Sequence, residues 1–140
     1  MNLKLEAIII PVADVDRAKK FYADTLGFRV DADLSRGGNS RIVQVTPPGS
    51  ECSIQFGVGI TPATPGTYQG TYLITTDIEA TRADLVKRGV EVSEPYHFGP
   101  QGQTPGIDPQ HTSYNSFLTF SDPDGNGWLI QEVKQRAPGR

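Results

Sequence analysis

Along this chain, short apolar runs alternate with two stretches in which apolar residues recur at helical spacing, and this pattern predicts the elements. Residues 5–12 gather Ile and Val into a run closed by Pro11 and followed by Asp14, the composition of a buried strand entering a turn. Val15, Ala18, Tyr22 and Leu26 then share one helical face. The Asp14 carboxylate is placed to accept from the free amides of the first turn, and Gly27 supplies a left-handed stop. Three strand-like pieces follow at 28–34, 41–46 and 52–58. They are separated by Arg36-Gly37-Gly38-Asn39 and Pro47-Pro48-Gly49-Ser50, both turn chemistry. The first half reads β-α-β-β-β.

Residues 60–70 are rich in Gly, Pro and Thr without periodicity, and read as a linker. The pattern then restarts with a strand at 71–76, a cap at Asp77, a helix marked by Ile78, Arg82, Leu85 and Val86, and a stop at Gly89 before Val90-Glu91-Val92. The same cap-helix-glycine device is thus used twice, and an internal duplication is the economical reading. The second half also carries a Gly, Pro and Gln-rich stretch, expected as a long loop over 93–113 that is functional or disordered. Residues 114–121 and 128–133 read as a hairpin around Asp122-Pro123-Asp124-Gly125-Asn126. The organisation expected is a first unit over 1–59, a linker over 60–70, a second unit over 71–133 and a flexible tail over 134–140.

A length of 140 residues suits one ordinary domain or two half-sized units sharing a core. With 36% apolar and 21% charged residues a core can form. Thirteen basic against sixteen acidic residues give a net charge of −3, which argues against a nucleic-acid partner, since that needs a clustered basic face. No apolar run approaches the ~20 residues of a spanning helix, and the start lacks the plan of a signal peptide, so no membrane partner and a cytoplasmic location are expected. Cys52 stands alone, without a partner for an intrachain disulfide or a thiolate zinc site, and is expected to be inert.

Two β-α-β-β-β units, a strand followed by Asp14-Val15-Asp16-Arg17-Ala18-Lys19-Lys20-Phe21-Tyr22 and Leu26-Gly27-Phe28, and a late Asp122-Pro123-Asp124-Gly125-Asn126 turn together resemble the vicinal oxygen chelate superfamily. That grouping holds glyoxalase I, extradiol dioxygenases and bleomycin-resistance proteins, and the similarity runs from about Leu3 to Val133. The resemblance implies an α+β fold in which two βαβββ units pair into a curled mixed sheet around a central cavity, with each helix on the outer face. It also implies a homodimer. Metal-binding members place one His or Glu donor on the first strand and one on the last strand of each unit. Carried over, those places fall on Ala7, Gln55, Thr71 and either Leu129 or Gln131. None is His, Asp or Glu. Glu6 and Glu132 lie next to the right places, but strand alternation turns them to the opposite face. Neutral amide donors hold transition metals weakly, so a metal-free cavity without a cofactor is expected.

The candidate ligand-binding residues are Ser53, Gln55, Thr71, Tyr114, Leu129 and Gln131. Gln55 and Gln131 either face a ligand or bond each other or water, since a buried unpaired amide costs on the order of 1–3 kcal/mol. Thr71 lines the cavity or is simply a strand residue. Tyr114 closes the pocket or packs. His97 and His111, the only imidazoles, fall in the long loop, where they act as bases over the cavity or stand in solvent. Ile8, Ile10, Ile54, Phe56, Trp128 and Ile130 are assigned to the helix-covered core, with Ala18, Phe21 and Tyr22. The function expected is non-covalent binding of a small organic molecule. The alternatives are an enzyme, either a metal-dependent lyase or dioxygenase whose donors are miscounted or a metal-free proton-transfer isomerase using His97 or His111, and a regulatory partner protein.

Overall fold

The computed structural model describes residues 1–140 and divides them into two compact units, residues 1–68 with 122–126 and residues 69–121 with 127–140. The fold is α+β with two mixed sheets, neither of them closed into a barrel.

In the first unit, strand β1 (Ala7–Ile9) leads into helix α1 (Val15–Lys19) and a π-helical turn (Lys20–Thr25). Strands β2 (Arg29–Leu34), β3 (Arg41–Thr46) and β4 (Ser53–Val58) complete a sheet in the order β1-β4-β3-β2. The Asp14 side chain accepts from the Arg17 amide at 3.0 Å, as the capping pattern requires. At the far end the helix widens, so that the Leu26 amide reaches the Phe21 carbonyl at 2.9 Å. Parallel pairing of β1 with β4 and antiparallel pairing of β4 with β3 set Ile54, Phe56, Val43 and Val45 on one face, where all four are buried. Tyr22 is wholly buried beside Phe56, with ring centroids 5.7 Å apart. Its hydroxyl donates to Asp122 Oδ2 at 2.7 Å. Asp122 belongs to the Asp-Pro-Asp-Gly-Asn turn, which is held in this unit by Asn126 Nδ2 donating to the Pro11 carbonyl at 2.8 Å and by Arg17 on Asp124 at 2.8 Å.

The second unit has strand β5 (Thr71–Thr75), helix α2 (Ile78–Lys87), strands β6 (Tyr96–Gly99) and β7 (Gly102–Pro105), then β8 (Ser116–Ser121) and β9 (Gly127–Glu132), in the sheet order β5-β9-β8-β6-β7. Asp77 caps α2 by accepting from the Ala80 amide at 3.0 Å. Leu118, Phe120, Trp128 and Ile130 are buried on the helix-covered side, with the Phe120 and Trp128 rings stacked at 6.2 Å.

The stretch expected as a loop over 93–113 contains the β6–β7 hairpin. Its strands are only four residues each, too short to be set apart from a loop by composition, and the hairpin is anchored to the sheet through the pairing of β6 with β8. Residues 90–92, strand-like in composition, make only a single bridge, from Val92 to Phe120. No helix is long and apolar enough to cross a membrane.

Candidate functional site

Each sheet has one face covered by its helix and one that is not, and side-chain alternation fixes which residues each face shows. In the first unit the helix-free face carries Ala7 and Ile9 of β1, Ser53 and Gln55 of β4 and Gln44 and Thr46 of β3. A bulge in β2 at Asp31, between Val30 and Ala32, brings the Asp31 carboxylate to Thr46. The groups form a chain. Ser53 and Thr46 hydroxyls lie 2.6 Å apart, Thr46 donates to Asp31 Oδ2, and Arg29 Nε donates to Asp31 Oδ1 at 2.6 Å. Since Thr46 has one hydroxyl proton and gives it to Asp31, Ser53 is the donor to Thr46. Arg29 first, and Thr46 next, hold the Asp31 carboxyl below the usual carboxylate range. Gln55 Nε2 donates to Gln44 Oε1 at 2.8 Å, so its amide is satisfied by a neighbour on β3. Beside this chain lies a cavity of about 460 Å³ that also reaches Lys4, Glu6 and Glu51.

The helix-free face of the second unit is aromatic. Register puts Tyr96 opposite Phe117 and Phe117 opposite Gln131, with Leu129 opposite Tyr72 and Ile74 opposite Gln131. Tyr96 and Phe117 stack at 5.3 Å, and Phe98 meets both edge-on, at 6.1 Å and 5.6 Å. Phe117 is 7% exposed beneath the other two rings, whereas Phe98 is 52% exposed, Tyr72 56% and Ile74 46%. Burial, and secondarily the neighbouring Tyr72, push the Tyr96 phenol up from its usual value.

Leu129 and Gln131 therefore stand on this aromatic face. Thr71 does not. The parallel register of β5 with β9 pairs it with Trp128, on the side of Leu73 and Thr75, and Thr75 bonds Thr81 of α2 at 2.6 Å. The open-face residues stand an odd number of positions before the cap in both units, Ala7 and Ile9 before Asp14 and Tyr72 and Ile74 before Asp77, whereas Thr71 stands six before Asp77, so the face belongs to Tyr72. Tyr114 spends its hydroxyl accepting from the Ala137 amide at 2.7 Å, which ties down the start of the tail. His97 alternates away from Tyr96 and Phe98, and its Nδ1 donates to the Gly106 carbonyl at 2.7 Å, bracing the β6–β7 hairpin. His111 Nδ1 donates to Oε1 of the fully buried Glu132 at 2.8 Å. Glu132 Oε2 accepts from the Ile78 amide in the first turn of α2 at 3.0 Å, where a carboxylate also complements the helix dipole. Glu132 faces the helix, as alternation requires.

Sequence reasoning missed Tyr72, Tyr96, Phe98 and Phe117 as a group. The signal available was the alternation Tyr96-His97-Phe98 ahead of a Gln-Gly turn. Cys52 has its thiol pushed up by burial first and by the Glu6 charge next.

The model of one family, the Glyoxalase/Bleomycin resistance protein/Dioxygenase superfamily, matches residues 4–130. The chain belongs to this superfamily. Among solved structures, TnmS3, described as an antibiotic binding protein from Streptomyces sp. CB03234, is 33% identical with a TM-score of 0.73, the match covering 94% of this chain and 97% of that one. A superfamily member from Sphaerobacter thermophilus is also 33% identical, with a TM-score of 0.72 and coverage of 94% and 98%. A curated relative, the uncharacterized protein YetH of Bacillus subtilis, is 23% identical over 136 residues, 94% of this chain and 100% of its own.

The donor arrangement of metal-binding superfamily members does not fit these residues. The first and last strands of the two units offer Ala7, Ile9, Ser53 and Gln55 on one helix-free face and Tyr72, Ile74, Leu129 and Gln131 on the other, without an imidazole or carboxylate among them, and the Asp31 carboxylate beside Ser53 is taken up by Arg29 and Thr46. Nowhere do three His, Cys, Asp or Glu side chains gather closely enough to hold an ion.

Proposed function

We propose that the protein binds a small, flat, aromatic organic molecule non-covalently, on the helix-free face of the second unit. The observation that carries this is the Tyr96-Phe98-Phe117 cluster, in which buried Phe117 and half-buried Tyr96 stack under a half-exposed Phe98, with exposed Tyr72 and Ile74 on the same face of the sheet. Large apolar side chains grouped in the open mark a binding surface. A preset ring cluster lets a planar ligand stack without ordering new side chains, which keeps the entropic cost of binding low. Leu129 widens the apolar platform, and the Gln131 amide supplies the polar contact that orients a guest. In the first unit Ser53 and Gln55 are already bonded to Thr46 and Gln44, so they serve the face by holding its shape. The description of TnmS3 as antibiotic binding supports a reading of sequestration over turnover.

The test is isothermal titration of the full chain with 1-naphthol, and with decahydro-1-naphthol, which has the same carbon skeleton without the aromatic plane. Saturable binding of the aromatic compound, weakened about tenfold or more by Phe98→Ala, is expected. The exposure of Phe98 makes that change safe for folding. Equal binding of the two alcohols, or indifference to Phe98→Ala, would overturn the reading.

A further inference from the structure

Gln131 sits on the aromatic face, yet its amide is not free to turn. Its Nε2 donates to the Tyr114 carbonyl at 3.0 Å, and a carbonyl can only accept, so the NH2 end must face the loop and the oxygen must face away from it. Within the chain Oε1 takes no hydrogen bond. The face thus offers a guest an acceptor, and what holds it in that state is the loop that carries Tyr114.

That loop is under backbone strain. His111 and Tyr114 both adopt left-handed φ, 50° and 73°, and they are the only residues other than glycine to do so. Such residues persist where surrounding contacts over-determine them. The contacts here are specific. The His111 amide donates to the Asp108 carbonyl at 2.9 Å, and the His111 imidazole donates to Glu132 at 2.8 Å. The Tyr114 amide then donates to the Glu132 carbonyl at 2.8 Å. Lys134 Nζ adds a longer contact of 3.7 Å to the same carboxylate. Glu132 and Gln131 are neighbours on β9 with side chains on opposite faces, so one loop reads the buried carboxylate on one side and sets the amide on the other.

We infer that His111 is a positioning residue. By clasping Glu132 it fixes the Tyr114 carbonyl, and through it the Gln131 amide, so that the aromatic face selects guests carrying a hydroxyl or N–H donor over isosteric guests that lack one. The inference rests on the aromatic-face reading above and gives that face its specificity.

The experiment compares 1-naphthol with 1-methoxynaphthalene, which keeps the rings and removes the donor, by equilibrium dialysis against the full chain. The affinity ratio in Gln131→Leu serves as the baseline. The native protein is expected to favour 1-naphthol by about fivefold over that baseline, the effect of one modest hydrogen bond. His111→Ala should bring the ratio to the baseline while both probes still bind, because a released amide presents either end. His111→Asn, whose amide can donate from near the imidazole position and which tolerates a left-handed φ, should restore most of the preference. A native ratio equal to that of Gln131→Leu, or one unchanged in His111→Ala, would overturn the inference while leaving the aromatic face in place. Binding of neither probe by the native protein would overturn that face, and the inference with it.

Discussion

Arg29, Asp31, Thr46 and Ser53 in the first unit, and Tyr96, Phe98 and Phe117 in the second, occupy the same kind of surface, the helix-free side of a mixed sheet, and they treat it in opposite ways. In the first unit polar groups are joined in sequence, from the Ser53 hydroxyl through Thr46 and Asp31 to Arg29 Nε. Such a network gives definition to a surface and leaves little unmet hydrogen bonding for a guest. In the second unit the rings satisfy one another by contact alone, which is non-directional, and half of Phe98 and Tyr72 remains available. A repeated fold unit does not carry a repeated site. The strand scaffold is shared, and the chemistry is decided by which residues alternate onto the open face.

The contrast can be broken most forcefully at Phe117, which lies under the other two rings. Phe117→Ala should cost about 3–5 kcal/mol of stability, read by urea unfolding, and should also abolish binding of 1-naphthol. A loss below about 1 kcal/mol would mean that the stack is not a packed element of the second unit.

Two glycines sharpen the comparison at intermediate size, one on each open face. A Cβ on Gly57 would collide with the Arg41 backbone carbonyl oxygen, whereas a Cβ on Gly127 would meet only the mobile end of the Gln69 side chain. Gly57→Ala is therefore expected to lower stability by about 1–3 kcal/mol, and Gly127→Ala by about 0.5 kcal/mol or less. Equal losses in thermal melts would contradict the distinction between a backbone and a side-chain neighbour.

The smallest effect is expected from acid. Asp31 has its folded-state carboxyl held below the unfolded value of about 3.9, so its contribution to stability is present above that value and is lost as the pH falls through the folded one. Asp31→Asn should be less stable than the native protein at neutral pH. The gap between their melting temperatures should narrow as the pH is lowered from about 4 towards 2. A gap that stays constant over that range would show that the Asp31 charge contributes nothing to the polar chain.

Much of this architecture is legible in the order of residues alone. The Asp14 and Asp77 caps, the Gly27 and Gly89 stops, and strands β2 to β5 within a residue or two all follow from local rules, because a cap or a stop depends on atoms a few residues away. Burial of Phe56, Ile54, Trp128 and Ile130 is legible for the same reason, since period-two alternation fixes a face once one member is known. The candidate site is legible only in part. Alternation places Leu129, Gln131, Ser53 and Gln55 on the open faces, and it holds in β5 too, where Thr71, six positions before the Asp77 cap, takes the opposite side to Tyr72, five before it as Ile9 is before Asp14. It also gives Glu132 the correct face, while the partners of Glu132, His111 and the Ile78 amide, come from distant parts of the chain.

By itself the sequence determined the repeated strand-helix-strand plan and the faces of the longer strands. Only the tertiary structure decided that a Gly and Gln-rich stretch folds into the β6–β7 hairpin, that Tyr96 and Phe98 meet Phe117, and that one loop ties Glu132 to Gln131. The physical reason is the range of the forces involved. Capping and alternation act between near neighbours, whereas strand register and ring contact join residues whose separation along the chain carries no local mark.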